Sequence, residues 1–163
     1  MSNLATDYAD GIVRTLESVE RLTDTDCTDP DALAELDSGD IDTLEELFEV
    51  NPPAGRNRLE EIAQGARDWL DNRGTDAAGA WLDGALDIEL HGRRGLHDTE
   101  WNLTKTRVVV TIGGPNAYVI DWGDGIDHLY VEVHWGGDQA RRGVYAPSVS
   151  QRITETLEGL MLA

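Results

Sequence analysis

The spacing of apolar residues changes at Gly84, and no other feature of this 163-residue chain constrains its fold as strongly. Before Gly84, apolar side chains recur at every third or fourth position, which is typical of one face of a helix. After it they alternate with polar residues, which is typical of a half-buried strand. Because helices and strands are segregated along the chain, the pattern predicts an α+β fold. We expect an acidic helical region over 1–82. Over 83–163 we expect an antiparallel sheet packed by a C-terminal helix, and the two parts form either separate units or one continuous domain.

The N-terminal part divides into helical segments separated by turn residues. The longest apolar stripe predicts a helix over about 3–22 and consists of Leu4, Tyr8, Ile12, Leu16 and Val19. Further helices are expected over 32–36, from 40 or 42 to about 50, and from 59 to a stop near Gly74. A last helical turn is expected over 77–83. Four or so acidic helices therefore precede the sheet.

Alternation and a β-branched run over 103–112 predict a meander of four or five strands after Gly84, over 86–91, 103–112, 117–122, 129–135 and 141–145. Turn residues separate these segments at 93–95, 113–116, 124–125 and 136–137. Pro147 closes the sheet, and Ser148 with Gln151 three residues later predicts a capping box. The helix that follows has an apolar stripe to cover one face of the sheet: Val149, Ile153, Leu157 and Leu160.

The charge balance excludes several classes of partner. The chain has 32 acidic residues against 13 Lys plus Arg, a formal net charge of -19. Binding to a nucleic-acid backbone or to an anionic membrane needs clustered cations, so we expect neither partner. No apolar run approaches the roughly 18 residues of a membrane-spanning helix, and a cytoplasmic protein is expected. Cys27 is the only cysteine, which excludes an internal disulfide.

The kinds of charged residue give two alternative explanations of this acidity. All cations but Lys105 are arginines, and Asp outnumbers Glu by 19 to 13. This composition resembles that of proteins from halophiles that accumulate salt, and the resemblance implies that the acidity is an adaptation to low water activity. At molar salt the Debye length is about 3 Å, which screens the self-repulsion. The alternative is that the acids imitate nucleic-acid phosphates and block a DNA-binding protein. That hypothesis predicts acids along one elongated face, in the N-terminal helices where the balance over 1–82 is -14, from 20 acids and six Arg.

Two features of the sequence are candidates for a binding or catalytic site. The glycines and proline of 113–115 predict a bulge or kink between strands, with a backbone cradle for an anion as the alternative. A metal or acid–base site is the second candidate. Glu89 with His91, and Glu132 with His134, share one face of their strands and would form a His/Glu cluster if those strands pair. A solvated polar face is the alternative, because alternation places polar residues there in any case.

Three motifs resemble a known group of proteins. They are Trp81 to Asp87, the strand that ends in Thr111-Ile112-Gly113-Gly114-Pro115-Asn116, and the strand that ends in Val133-His134-Trp135-Gly136-Gly137. Together they resemble small uncharacterised proteins of phages, prophages and plasmids, over about residues 80–160. The resemblance implies an origin in a mobile element and supplies no catalytic residue.

The leading hypothesis is a non-enzymatic accessory protein of a halophile or its mobile element, which acts by contact with another protein. The expected contact residues surround the Gly-Gly-Pro kink and the two Trp-Gly segments: Asn116, Tyr118, Trp122, Trp135 and Asp138. No cofactor is expected. No cation accompanies the tryptophans in the sequence, so stacking of single-stranded nucleic acid is not expected. The alternatives are the DNA mimic and a small metal-dependent enzyme.

Overall fold

The computed structural model describes residues 3–52, 57–123 and 128–161. Five helices precede the strands: α1 (Leu4–Leu22), α2 (Pro30–Leu33), α3 (Ser38–Leu47), α4 (Arg58–Arg73) and α5 (Ala77–Asp83). The strands are β1 (Asp87–Arg93), β2 (Asn102–Thr111), β3 (Asn116–Asp121), β4 (His128–Trp135) and β5 (Asp138–Tyr145). Helix α6 (Pro147–Met161) follows them. The predicted α+β fold is confirmed.

Short polar side chains begin each of the first five helices. The side chain of the residue before each helix accepts a hydrogen bond from a backbone N–H of the first turn, which satisfies a donor with no partner inside the helix. These residues are Asn3, Asp29, Asp37, Asn57 and Asp76. At the other end of α4, Gly74 takes a left-handed backbone with φ of 65°, as predicted for a helix stop. Part of the Asp content therefore serves to start helices.

The sheet is an antiparallel meander in which strand order follows chain order, β1-β2-β3-β4-β5. The predicted irregularity at the end of β2 is confirmed, because the register with β3 shifts between Val109 and Thr111. Gly113 and Gly136 have φ of 101° and 61° in the turns that follow β2 and β4, a conformation that favours glycine. The turn predicted at 124–125 lies outside the described residues.

One face of the sheet packs against helices and forms the core. Helix α1 lies on β4 and β5, and α6 contacts β4, α5 and α1. Alternate strand residues such as Val119 and Val131 are fully buried in the same apolar cluster as Leu16 of α1 and Ile153 of α6. Helical and strand residues therefore share one core, which spans the boundary at residues 82–83.

Several local predictions are corrected. The second helix covers Pro30–Leu33 and not 32–36, because Asp29 caps it and places Pro30 in the first turn. Strand β1 includes Arg93, which was expected in a turn, and β3 ends at Asp121, before Trp122.

The predicted capping box of the last helix does not form. Instead, the N–H and hydroxyl groups of Ser148 donate to the carboxylate of Glu20 on α1, at 3.1 and 2.6 Å. Gln151 bonds to Glu155 one turn further along. The Glu20 carboxylate thus replaces the local partner that the sequence pattern predicts for Ser148, and it links α6 to α1.

None of the described helices is long and apolar enough to cross a membrane.

Candidate functional site

The face of the sheet opposite the helices carries a continuous group of aromatic and charged side chains, which we call the open face. Strand alternation and the register of the five strands place these residues on it: Glu89, His91, Lys105, Arg107, Tyr118, Trp122, Tyr130, Glu132, His134 and Arg141. Beneath them, Val109 and Ile120 are buried although they lie outside the main core cluster. The larger side chains therefore cover a thin apolar layer and present their polar ends outward.

An ion pair and a stacked ring link the first three strands of the open face. Arg107 donates to the Glu89 carboxylate through Nε at 2.7 Å, and its guanidinium carbon lies 4.3 Å from the centre of the Tyr118 ring. Hydrogen bonds from Arg107 and then from His91 hold the pKa of Glu89 below its usual value. Arg107 is thus fixed between a carboxylate and an aromatic ring.

Two cations lie beside Trp122 on the open face. The Lys105 ammonium is 5.1 Å and the Arg141 guanidinium carbon 5.9 Å from the centre of that indole ring, and Arg141 also lies 4.5 Å from the Tyr130 ring. Within the part of the chain that the structure describes, neither cation forms an ion pair, although the protein has 32 acidic residues.

Sequence reasoning missed this arrangement. Trp122 was expected to have no accompanying cation, and in the sequence it has none nearby. The register places Thr106 opposite Asp121, so that Lys105 of β2 and Trp122 after β3 become neighbours, while Arg141 reaches the ring from β5. The sequence does contain one indication of it. Lys105 and Arg107 are two residues apart in β2, so alternation puts both cations on one face of the sheet.

The candidate metal residues form two separate pairs. His91 contacts Glu89 at 3.2 Å and His134 contacts Glu132 at 2.9 Å. The strands that carry them, β1 and β4, do not pair, since β2 and β3 lie between them. Three strand spacings separate the pairs by about 14 Å, too far for a shared ion. Among the described residues, no group of three or more His, Cys, Asp or Glu side chains is placed to hold a metal ion.

The five expected contact residues do not form one surface. Tyr118 and Trp122 lie on the open face, and Asn116 begins β3 on the same side. Trp135 is half-buried on the helical side, where Tyr8 packs edge-on at 5.9 Å. Asp138 is exposed at the start of β5, opposite Trp135 in the register. Two of the five expected residues, Tyr118 and Trp122, therefore belong to the open face, and Asn116 lies beside it opposite His134.

The Gly-Gly-Pro segment has a local structural role. The Gly113 N–H donates to the Asn116 side-chain oxygen at 3.2 Å, and the Thr111 hydroxyl donates to the Pro115 carbonyl at 2.6 Å. Both bonds close the turn between β2 and β3. The geometry thus favours the predicted kink over the anion cradle.

Several acids of the N-terminal part have partners within the fold. Asp40 is buried and accepts from Ser18 and Arg21, while Asp10 accepts from Arg142 of β5 at 2.8 Å. On the surface, Arg58 pairs with Asp42 and Glu45. The hypothesis of a nucleic-acid mimic stays a prediction, and these acids have structural roles that it does not require.

Cys27 has the properties of a packed thiol. Burial first, and then the negative charges of Asp26 and Asp76, raise the pKa of the Cys27 thiol to about 11. Since the thiolate is the nucleophilic form, this environment suppresses nucleophilic reactivity at neutral pH.

Comparisons of the chain with protein-family models, with curated proteins and with solved structures gave no match. The resemblance to proteins of mobile elements, and that of the composition to halophile proteins, therefore stay predictions.

Proposed function

We propose that this chain is a non-enzymatic accessory protein that binds another protein, and that the open face docks an acidic segment of its partner. The observation that carries this proposal is the pair of cations beside Trp122. Lys105 and Arg141 flank one indole ring and have no carboxylate partner among the described residues. Fixed guanidinium groups bind carboxylates well because little side-chain freedom is lost on binding.

The stacking pattern favours a peptide over a single nucleic-acid strand. Bases bind such platforms by stacking on free aromatic faces. Here guanidinium groups already lie over Tyr118 and Tyr130, at 4.3 and 4.5 Å. Carboxylates approach the N–H edges of those groups without displacing them.

Affinity for an acidic peptide tests this proposal. We expect a fluorescently labelled peptide of alternating Glu and Ser to bind the protein saturably, and the Lys105→Gln/Arg141→Gln variant to bind it about tenfold more weakly. Loss of two partly exposed charge contacts corresponds to about 1–2 kcal/mol. Fluorescence anisotropy at fixed ionic strength measures both affinities.

The control carries the same charge change elsewhere. Arg14 on α1 and Arg58 on α4 are exposed on the helices, and Arg14→Gln/Arg58→Gln is expected to bind the peptide like the unmodified chain. If both double variants bound the peptide equally weakly, the change in net charge would explain the loss of affinity, and the proposed role of Lys105 and Arg141 would be wrong. Tighter binding of oligothymidylate than of the peptide would identify the open face as a nucleic-acid platform and overturn the proposal.

We further propose that the acidity adapts the chain to concentrated salt. Urea unfolding followed by Trp fluorescence is expected to give a free energy of unfolding that increases with KCl. The increase should be greatest between about 0.1 and 1 M, where the Debye length shortens from about 10 to about 3 Å. Sucrose is the control, because it favours compact states through exclusion without screening charge. A free energy of unfolding that does not change with KCl would contradict the adaptation.

A further inference from the structure

A second concave site lies on the helical side, away from the open face. It is a cleft of about 340 Å³ between α3, α4, α5 and the end of β2. Its lining includes Trp69 and Trp81 together with three exposed acidic residues, Glu46, Glu49 and Asp83. The volume is in the range of small-molecule sites. The combination of indole rings with acids is the chemistry that recognises organic cations.

The Trp69 ring is fixed in place and already holds a cation. Its Nε1–H donates to the Thr75 hydroxyl at 2.8 Å, and Phe48 packs against it at 6.0 Å. The guanidinium carbon of Arg73 lies 4.8 Å from the ring centre. Arg73 is more than half exposed and approaches Asp83 only at 3.9 Å, so solvent competes for it and it is free to leave the ring.

The acid at the end of α3 is in an unusual backbone position. Glu49 has φ of 54° and is the single non-glycine residue with positive φ among the described residues. Glycine is the usual residue where a helix ends in this conformation. The Val50 N–H donates to the Glu45 carbonyl and closes the end of α3 around Glu49, which therefore reaches the lining of the cleft from a fixed backbone position.

We propose that this cleft binds a small organic cation, a quaternary or protonated amine. Its apolar groups contact Trp69 and Trp81, and its charge lies among the carboxylates of Glu46, Glu49 and Asp83. Arg73 occupies the Trp69 face when the cleft is empty and is displaced on binding. The site is independent of the open face, so either proposal can fail without the other.

Choline provides the probe, and 3,3-dimethyl-1-butanol provides its uncharged isostere. Indole N–H resonances followed by NMR at constant chloride concentration are expected to show saturable shifts of Trp69 and Trp81 with choline and none with the alcohol. The Glu46→Gln/Glu49→Gln variant is expected to bind choline about tenfold more weakly. Glu35→Gln/Glu158→Gln makes the same charge change at exposed positions outside the cleft and is expected to bind like the unmodified chain.

The Arg73→Gln variant gives the sharpest result. It removes a like charge and uncovers the Trp69 ring, so choline is expected to bind several-fold more tightly. A role of Arg73 in simple helix stability would produce no such gain. Weaker binding by Arg73→Gln, an equal response to the uncharged alcohol, or no saturable response to choline would each overturn the proposal.

Discussion

Replacing Asp40 by alanine is expected to lower the free energy of unfolding by about 3 kcal/mol at pH 7. The Asp40 side chain is 5% exposed, accepts from the buried Ser18 hydroxyl, and pairs with Arg21 at 2.8 Å. Alanine leaves the Ser18 hydroxyl without that partner and removes two hydrogen bonds from Arg21. Urea unfolding followed by Trp fluorescence measures the loss.

The same variant is expected to change the dependence of stability on pH. The hydrogen bonds from Arg21 lower the pKa of Asp40 most, and the hydrogen bond from Ser18 lowers it further. Burial acts in the opposite direction, but the pKa of Asp40 stays below its usual value. A carboxyl group whose pKa is lower in the folded state stabilises the fold at pH values above its unfolded pKa of about 3.9. This stability is lost as the pH falls through the folded pKa. The difference between the unmodified chain and Asp40→Ala should therefore be largest near neutral pH and shrink in acid.

Asp40→Asn separates charge from shape. Its side-chain oxygen still accepts from Ser18, so it is expected to lose less stability than the alanine variant, about 1–2 kcal/mol. A difference between unmodified protein and Asp40→Ala that stays constant from neutral to strongly acidic pH would contradict the assigned role of the carboxylate.

Leu16→Ala is expected to lower the free energy of unfolding by about 3–4 kcal/mol, through lost burial and the cavity that remains. Leu16 is fully buried in the core cluster that α1 shares with β4 and β5. Because helices and sheet share that core, far-ultraviolet circular dichroism and Trp fluorescence are expected to report one coincident transition.

Leu4 on the same helix supplies the control. Its side chain is 53% exposed, and Leu4→Ala is expected to change stability by less than about 0.5 kcal/mol. Two separate transitions in Leu16→Ala, with the helical signal lost first, would show that residues 1–82 unfold as their own unit and would contradict the shared core.

Local sequence patterns predict most of the helices and strands, because the burial pattern and the turn residues of each element lie within its own segment. Alternation identifies β1, β3 and β4, and a β-branched run identifies β2. The apolar stripe of α1 and the Gly74 stop are also reproduced closely. The capping box fails for a tertiary reason, since Glu20 lies far from Ser148 in sequence but adjacent to it in space. No local pattern encodes such a partner.

The candidate site is less predictable because it depends on register across strands. Tyr118 and Trp122 were identified as contact residues, but their cationic neighbours come from β2 and β5. The two Glu/His pairs form no shared cluster, because the meander places β2 and β3 between β1 and β4. Trp135 shares the Trp-Gly pattern of Trp122 yet faces α1. The parity of a residue within its strand decides between the two faces, and strand ends are the least certain part of a sequence reading.

The most direct test of the open face is an NMR titration that follows the five Trp indole N–H signals as the peptide of alternating Glu and Ser is added. The account predicts that the Trp122 signal shifts saturably, because Lys105 and Arg141 bind carboxylates beside that ring. The Trp135 signal, on the helical side, should stay in place. Shifts of Trp135, or of Trp69 and Trp81, with Trp122 unchanged would contradict the account and place any protein-binding surface on the helical side.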